Sequence, residues 1–221
     1  MGWRYWLRLP PTQQTVATEQ APSPRQPVPA LWELAAKRIY PAVRSRFALA
    51  PCVCRPWVAD LSLVLLYDFG PRATEVSALT AGVWGQPHDA LWERALRNLR
   101  ALPRPHWEDI GDGVFRLVSN FAGEETFPLV PVVMDSVPCK EPVIAIPNGR
   151  VVLATCGFDA DAVWALIGHA RDSLQNAPWP LSGTLLQRVG DRWSRYVPPP
   201  SLSPACARLN AISLARTRSA S

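Results

Sequence analysis

The stretch Glu141-Pro-Val-Ile-Ala-Ile-Pro-Asn-Gly-Arg-Val-Val-Leu-Ala-Thr-Cys156 decides the fold class of this chain. It contains two short apolar runs rich in β-branched residues, 143–146 and 151–155, which favour extended strands. Between them lies Pro147-Asn148-Gly149, and Asn and Gly adopt the positive φ of a tight turn at low steric cost. The stretch therefore predicts a buried β-hairpin.

Two further hairpins are predicted on either side of this one. Residues 107–110 and 114–118 flank Gly111-Asp112-Gly113, and residues 185–189 and 193–197 flank Gly190-Asp191-Arg192. The apolar run 61–67 is typical of a strand that other layers cover on both faces.

Helices are predicted where apolar residues recur every three or four positions. Such spacing occurs at 31–47, with a break before Pro41, and at 87–102. Asp159 caps a third helix that runs to about residue 175, and a short helix with Thr74 as its cap is expected at 74–83. Residues 124–137 suit either a strand or a helix, because two prolines weaken both patterns.

Helices thus alternate irregularly with hairpins, which indicates an α+β fold. We expect a mainly antiparallel or mixed sheet, built from hairpins, with helices packed against it. A doubly wound parallel fold is disfavoured, because strands and helices do not strictly alternate.

The chain has 221 residues, of which 48% are hydrophobic, and this suffices for one domain with a real core. Residues 1–29 are rich in proline and polar side chains, so they predict a disordered or extended lead. The single α+β domain is expected at 30–197, and a disordered basic tail at 198–221.

The net charge of +5 is spread along the chain without a dense basic block, which argues against nucleic-acid binding. The sequence shows no signal peptide and no membrane-spanning run, so a cytoplasmic location without membrane insertion is expected. The five cysteines show no four-ligand zinc pattern and are expected to be reduced thiols.

Three segments in this order resemble the YtpQ family of bacterial proteins over about residues 38–197. They are Ile39-Tyr40-Pro41-Ala42-Val43-Arg44-Ser45, the strand at 61–68 followed by the helix Trp92-Glu93-Arg94-Ala95-Leu96-Arg97-Asn98-Leu99, and the hairpin that begins Val143-Ile144-Ala145-Ile146-Pro147. The chain departs from the longer members of the family, because a short proline-rich lead replaces their N-terminal region. The resemblance implies a shared α/β-type core and brings no activity, cofactor or catalytic residue.

The polar residues Arg44, Asp68 and Asn98 are the candidate site residues, because they end apolar elements at positions that match the family segments. Each could contact a ligand or partner, or could instead cap an element or pair with a neighbour. Asn148 and Gly149 are expected to form a turn first.

No catalytic residue, cofactor site or metal site is predicted. Cys156 and His169 could meet as a nucleophile and base, but Cys156 continues an apolar strand and suits the core better. Oxygen ligands are offered, without the spacing of a metal loop, by four carboxylates: Glu124, Glu125, Asp159 and Asp161. Gly111-Asp112-Gly113 lacks the remaining residues of a phosphate-binding loop.

The leading hypothesis is therefore a non-catalytic cytoplasmic module that binds an unknown protein partner. Its contact surface would include Trp3 and Trp6, since Trp3, Trp6, Trp32 and Trp57 are more indoles than the first quarter of a small core needs. The alternative is a small-ligand-binding protein or an enzyme with a cleft around Arg44, Asp68 and Asn98. A third hypothesis is nucleic-acid binding by the basic tail, through Arg208, Arg216 and Arg218.

Overall fold

The computed structural model describes residues 28–48, 51–68, 73–121, 123–190 and 192–219. The helices in these ranges are α1 (Trp32–Ala35), α2 (Ala78–Val83), α3 (His88–Arg100), α4 (Pro131–Met134), α5 (Ala160–Asn176) and α6 (Ser203–Ser219), with 3₁₀ helices at Arg46–Ala48 and Glu124–Leu129. The strands are β1 (Ile39–Ser45), β2 (Cys54–Pro56), β3 (Leu61–Asp68), β4 (Ala73–Glu75), β5 (His106–Asp109), β6 (Val114–Val118), β7 (Pro142–Asn148), β8 (Val151–Cys156), β9 (Leu186–Val189) and β10 (Arg192–Arg195). The lead at 1–27, with Trp3 and Trp6, lies outside the described residues.

The central hairpin is confirmed as β7 and β8, which pair antiparallel from Pro142 opposite Cys156 to Asn148 opposite Val151. Around it forms a six-stranded sheet in the order β10-β9-β7-β8-β6-β5. Every neighbouring pair in this sheet is antiparallel, and the two flanking hairpins predicted from sequence are its two ends. The structure is therefore an α+β fold with antiparallel sheets, as predicted.

A second, four-stranded sheet corrects the prediction of a helix at 31–47. Within that range α1 is the α-helical part and a 3₁₀ helix begins at Arg46, whereas β1 pairs antiparallel with β3 along its whole length. The β-branched Ile39 and Val43 suit a strand, and Pro41 is tolerated because β1 lies at the sheet edge. On the other side of β3 lie β2 and β4.

Alternate residues of the central hairpin join two cores. Val143 and Ala145 face a core shared with α5 and α6, whereas Ile144 and Ile146 face a core shared with α3 and the four-stranded sheet. This follows from the twofold alternation of side chains along a strand. The six-stranded sheet is thus covered on both faces.

The prediction of a disordered tail at 198–221 is wrong for α6. Its buried stripe consists of Leu202, Ala205, Cys206 and Leu209 and packs in the core shared with α5. This three- and four-residue spacing gives one apolar helix face. The segment was predicted to be disordered because its many prolines and arginines dominate its composition. Arg216, which lies in the segment predicted to be a basic tail, donates a hydrogen bond from Nη2 to the carbonyl of Ala177 at 2.6 Å.

The remaining helices follow the sequence closely. α3 buries Leu91, Ala95 and Leu99 as predicted, and the Asp159 side chain caps α5 by accepting hydrogen bonds from the amides of Asp161 and Ala162. The helix expected at 74–83 is shorter, because β4 occupies its first residues and Ser77 caps α2 in place of Thr74. The segment that suited either a strand or a helix forms a 3₁₀ helix and α4. No helix in the described ranges has the length and hydropathy needed to cross a membrane.

Candidate functional site

A cleft with a volume of about 1040 Å³ opens where the two sheets and the end of α5 meet. We call it the Arg44–Glu125 cleft and define it by its lining: Arg44, Ser45, Glu75, Glu125, 148–151, 172–173 and 176–181. Arg44 and Ser45 end β1, and Glu75 ends β4. The turn between β7 and β8 brings the 148–151 segment, so both sheets contribute to the cleft.

Arg44 is the central cation of the cleft. Its Nε lies 3.2 Å from Oε1 of Glu75, and its Nη1 lies 3.3 Å from Oε1 of Glu125. Nη1 also donates a hydrogen bond to the carbonyl of Val43 at 2.8 Å, which fixes the guanidinium against its own strand. The guanidinium of Arg44 thereby contacts both Glu75 and Glu125, which lie 31 and 81 positions away in the sequence.

Glu125 is the most strongly perturbed group of the cleft. Only 3% of the residue is exposed, and burial raises the pKa of its carboxyl from 4.5 to about 7, while Arg44 opposes the rise and Glu124 adds to it. A carboxyl with this pKa is present in both protonation states near neutral pH. Glu125 can therefore accept or donate a proton where a ligand would lie.

Two polar atoms of the cleft residues are buried without a hydrogen-bond partner among the described residues, Oε2 of Glu125 and Oγ of Ser45. Buried polar atoms are nearly always hydrogen-bonded in folded proteins, and an orphaned one costs about 1–3 kcal/mol. Gly149 lies next to Glu125, and a Cβ placed on it would be 3.7 Å from Oε2. A side chain at this position would be in van der Waals contact with the carboxyl.

The rim of the cleft is held by the turn that the sequence predicted. Asn148 accepts a hydrogen bond from the Arg150 amide at 2.8 Å and donates one to Oγ of Ser173 on α5, also at 2.8 Å. Asn148 is thus a turn former that also ties the hairpin to α5. Arg150 is exposed, and none of the ion pairs of the described residues includes it.

The structure separates the three residues proposed from sequence. Ile39 pairs with Tyr67 and Arg44 with Ser62, so Asp68 lies at the opposite end of the β1–β3 ladder from Arg44. At that far end Asn98 donates hydrogen bonds from Nδ2 to the carbonyls of Ala36 and Ile39, at 2.9 and 2.8 Å. Asn98 therefore joins α3 to the start of β1, and only Arg44 belongs to the cleft.

Two of the four tryptophans that motivated a partner surface have packing roles. Trp32 contacts Trp84 at a centroid distance of 5.5 Å, and Trp57 contacts Trp193 edge-on at 5.9 Å. Both are partly buried against the larger core. The reasoning that counted these indoles as surplus is corrected, whereas Trp3 and Trp6 lie outside the described residues.

The other chemical candidates do not assemble into a site. Within the described ranges no hydrogen bond joins Cys156 to His169, and Cys156 instead lies beside Cys139, whose pKa burial raises to about 12. Asp159 caps α5, and Glu125 pairs with Arg44. The part of the chain that the structure describes contains no group of three or more residues able to hold a metal ion.

The sequence singled out Arg44 but missed the role of its partners. Glu125 was considered only as an oxygen ligand for a metal ion, and Glu75 was included only in the helix expected at 74–83. Neither contact leaves a local signal, because burial of Glu125 depends on tertiary packing. No family model matches the chain, and no curated protein or solved structure is similar to it.

Proposed function

We propose that this protein binds a small polar ligand in the Arg44–Glu125 cleft. The observation that carries the proposal is Glu125, a buried carboxyl with one oxygen on Arg44 and the other without a hydrogen-bond partner in the part of the chain that the structure describes. A ligand that donates a hydrogen bond to this oxygen would offset the cost of leaving it unpaired. Concave sites with a few convergent polar groups and a perturbed pKa are the usual form of ligand sites.

The position of the cleft supports the same proposal. It is bounded by elements distant in sequence, from β1 and β4 to the β7–β8 turn and the end of α5. Its volume of about 1040 Å³ lies at the upper end of the range for small-molecule sites, roughly 300–1,000 Å³. If a bound ligand undergoes chemistry, Glu125 is the group able to transfer a proton.

A metabolite library screened by thermal denaturation tests this proposal. We expect at least one small polar compound to raise the melting temperature of the wild-type protein, since a ligand that binds the native state stabilises it. Glu125→Gln should lower the affinity for that compound about ten-fold, because roughly one hydrogen bond to a charged group is lost. Arg195→Ala, an exposed charge outside the cleft, should leave the affinity unchanged. Stabilising compounds that bind equally well to Glu125→Gln would contradict the proposal.

Protein binding remains a second proposal, and an apolar surface favours it. Leu31 and Leu34 on or beside α1 are 63% and 57% exposed, and Leu79 and Val83 on α2 are 85% and 68% exposed. The contact of Trp32 with Trp84 brings these two helices together. Exposed apolar side chains grouped in this way are typical of interaction surfaces.

This second proposal includes the contribution of Trp3 and Trp6, the cytoplasmic location and the resemblance to the YtpQ family. Quantitative affinity capture should compare the full chain, a chain lacking residues 1–29, and Leu79→Ser/Val83→Ser. A partner that is lost from both variants supports protein binding through this surface and the lead. A partner retained by both would contradict it.

A further inference from the structure

The loop at 177–181 presents a tryptophan on a rigid support beside the cleft. Trp179 is 73% exposed, although Pro178 and Pro180 on either side restrict the backbone. The loop is anchored at both ends. The carbonyl of Ala177 accepts a hydrogen bond from Arg216 at 2.6 Å, and the amide of Leu181 donates to the carbonyl of Pro147 at 2.8 Å. The fold therefore anchors the backbone on both sides of this exposed indole.

An exposed indole on an anchored backbone favours a ligand with an apolar face. Aromatic side chains contribute a large contact area, and a backbone that is already ordered lowers the entropic cost of binding. Pro180 also forms an isolated β-bridge with Asn148, which ties the loop to the β7–β8 turn. The indole and the buried carboxyl of Glu125 thus line the same cleft.

The charges of the cleft favour an uncharged ligand. Two cations, Arg44 and Arg150, face the carboxylates of Glu75, Glu125 and Asp172. Because burial raises the pKa of Glu125 to about 7, the net charge of the lining lies between −1 and 0 near neutral pH. Arg44 is already neutralised by two carboxylates, so Arg150 is the one cation of the lining that lies outside the ion pairs of the described residues and could meet a phosphate or carboxylate ligand.

We propose that the ligand of the Arg44–Glu125 cleft is a neutral sugar, whose ring packs on Trp179 and whose hydroxyls hydrogen-bond to Glu125 and Ser45. A pyranose ring has an apolar face of C–H groups and an edge of hydroxyls, which matches an indole beside buried oxygen acceptors. Nucleotides and polyamines fit less well, because they bring charge into a nearly neutral cleft. This inference rests on the proposed function and names its ligand class.

The test titrates the full chain with glucose, galactose, N-acetylglucosamine, maltose and cellobiose by ligand-observed NMR and calorimetry. Glucose 6-phosphate and putrescine serve as charged comparators. The variants are Trp179→Ala and Trp179→Phe, with Trp164→Ala as the matched control, because Trp164 is a 54% exposed indole of α5 outside the cleft lining. Both positions are exposed, so these three variants should fold.

We expect a neutral sugar to bind wild type and Trp164→Ala equally, and to bind Trp179→Ala about ten-fold more weakly, the loss of one aromatic contact. Trp179→Phe should retain part of the affinity. Sugar binding that is insensitive to Trp179→Ala would overturn the inference, and so would the absence of binding by any of the five sugars. If only a charged comparator binds, and Glu125→Gln weakens it, the sugar class is wrong while the ligand-binding function stands.

Discussion

At the scale of single residues, Glu125 makes the stability of the protein depend on pH. Burial raises the pKa of its carboxyl from 4.5 to about 7 on folding. Between these values the folded protein holds a proton that the unfolded chain has released, so the free energy of unfolding falls as pH rises. This contribution to stability is fully present below pH 4.5 and is lost as pH rises through about 7.

The wild-type protein should therefore lose stability relative to Glu125→Gln between pH 4.5 and 7, by about 3 kcal/mol at 1.36 kcal/mol per pKa unit. Urea denaturation of both proteins across this range measures the difference. Glu108→Gln, at an exposed position on β5, is the control and should follow the wild-type profile. Parallel profiles for wild type and Glu125→Gln would show that the carboxyl is not buried as described.

Asn98 joins α3 to the start of β1, so we expect it to contribute to stability and not to ligand binding. Asn98→Ala removes two hydrogen bonds and leaves the carbonyls of Ala36 and Ile39 without that donor, so we expect a loss of about 2 kcal/mol. Arg97→Ala, on the exposed neighbouring position of α3, should change stability by less than about 0.5 kcal/mol. Denaturation measures both variants. If Asn98→Ala kept full stability but lost ligand affinity, the structural assignment would be wrong.

At the scale of elements, α6 docks by close backbone contact with the loop that precedes β9. A Cβ placed on Gly183 would lie 2.4 Å from the carbonyl oxygen of Leu209, so no side chain fits there without displacing the helix. We expect Gly183→Ala to destabilise the protein by about 1–3 kcal/mol, the range of overpacking changes. Hydrogen exchange should show faster exchange of the α6 amides.

The control for this variant is Gly168→Ala within α5, where a Cβ meets nothing within 4 Å. Because alanine favours helix over glycine, this change should stabilise the protein by up to about 1 kcal/mol. Equal and small effects of the two substitutions would mean that α6 does not pack as the structure shows.

Elements with local signals were predictable, and those that depend on partners were not. The β7–β8 hairpin carries its turn residues, and α5 carries its Asp159 cap, so both were found from sequence. β1 was mistaken for helix because Ile39 and Val43 also match a helical spacing, and only the pairing with β3 decides between the two. The apolar residues of α6 were not recognised as a buried helix face, because their burial depends on packing against α5.

The cleft was predictable only through Arg44. Its ion-pair partners lie 31 and 81 residues away in sequence, and no spacing rule connects such positions. The prediction that Asp68 and Asn98 share a cleft with Arg44 failed for the same reason. Ends of elements were grouped by their chemistry, although the antiparallel register places them at opposite ends of one ladder.

At the scale of the whole molecule, the two sheets share one core and should unfold together. Ile144 and Leu65, from different sheets, belong to the same buried cluster. Ile144→Ala should cost about 2–5 kcal/mol and shift the transitions seen by circular dichroism and tryptophan fluorescence equally. Val197→Ala, at a side chain 81% exposed, should shift neither. Separate transitions would show that the sheets unfold independently.

Chemical-shift mapping is the measurement that tests the central claim most directly. Isotope-labelled protein would be titrated with the best compound from the metabolite or sugar series, and the perturbed backbone amides assigned. We predict changes concentrated at 148–151 and 172–181, and weaker changes in Glu125→Gln at the same ligand concentration. Perturbations concentrated away from this cleft, for example around α1 and α2, would contradict the claim that it is the ligand site.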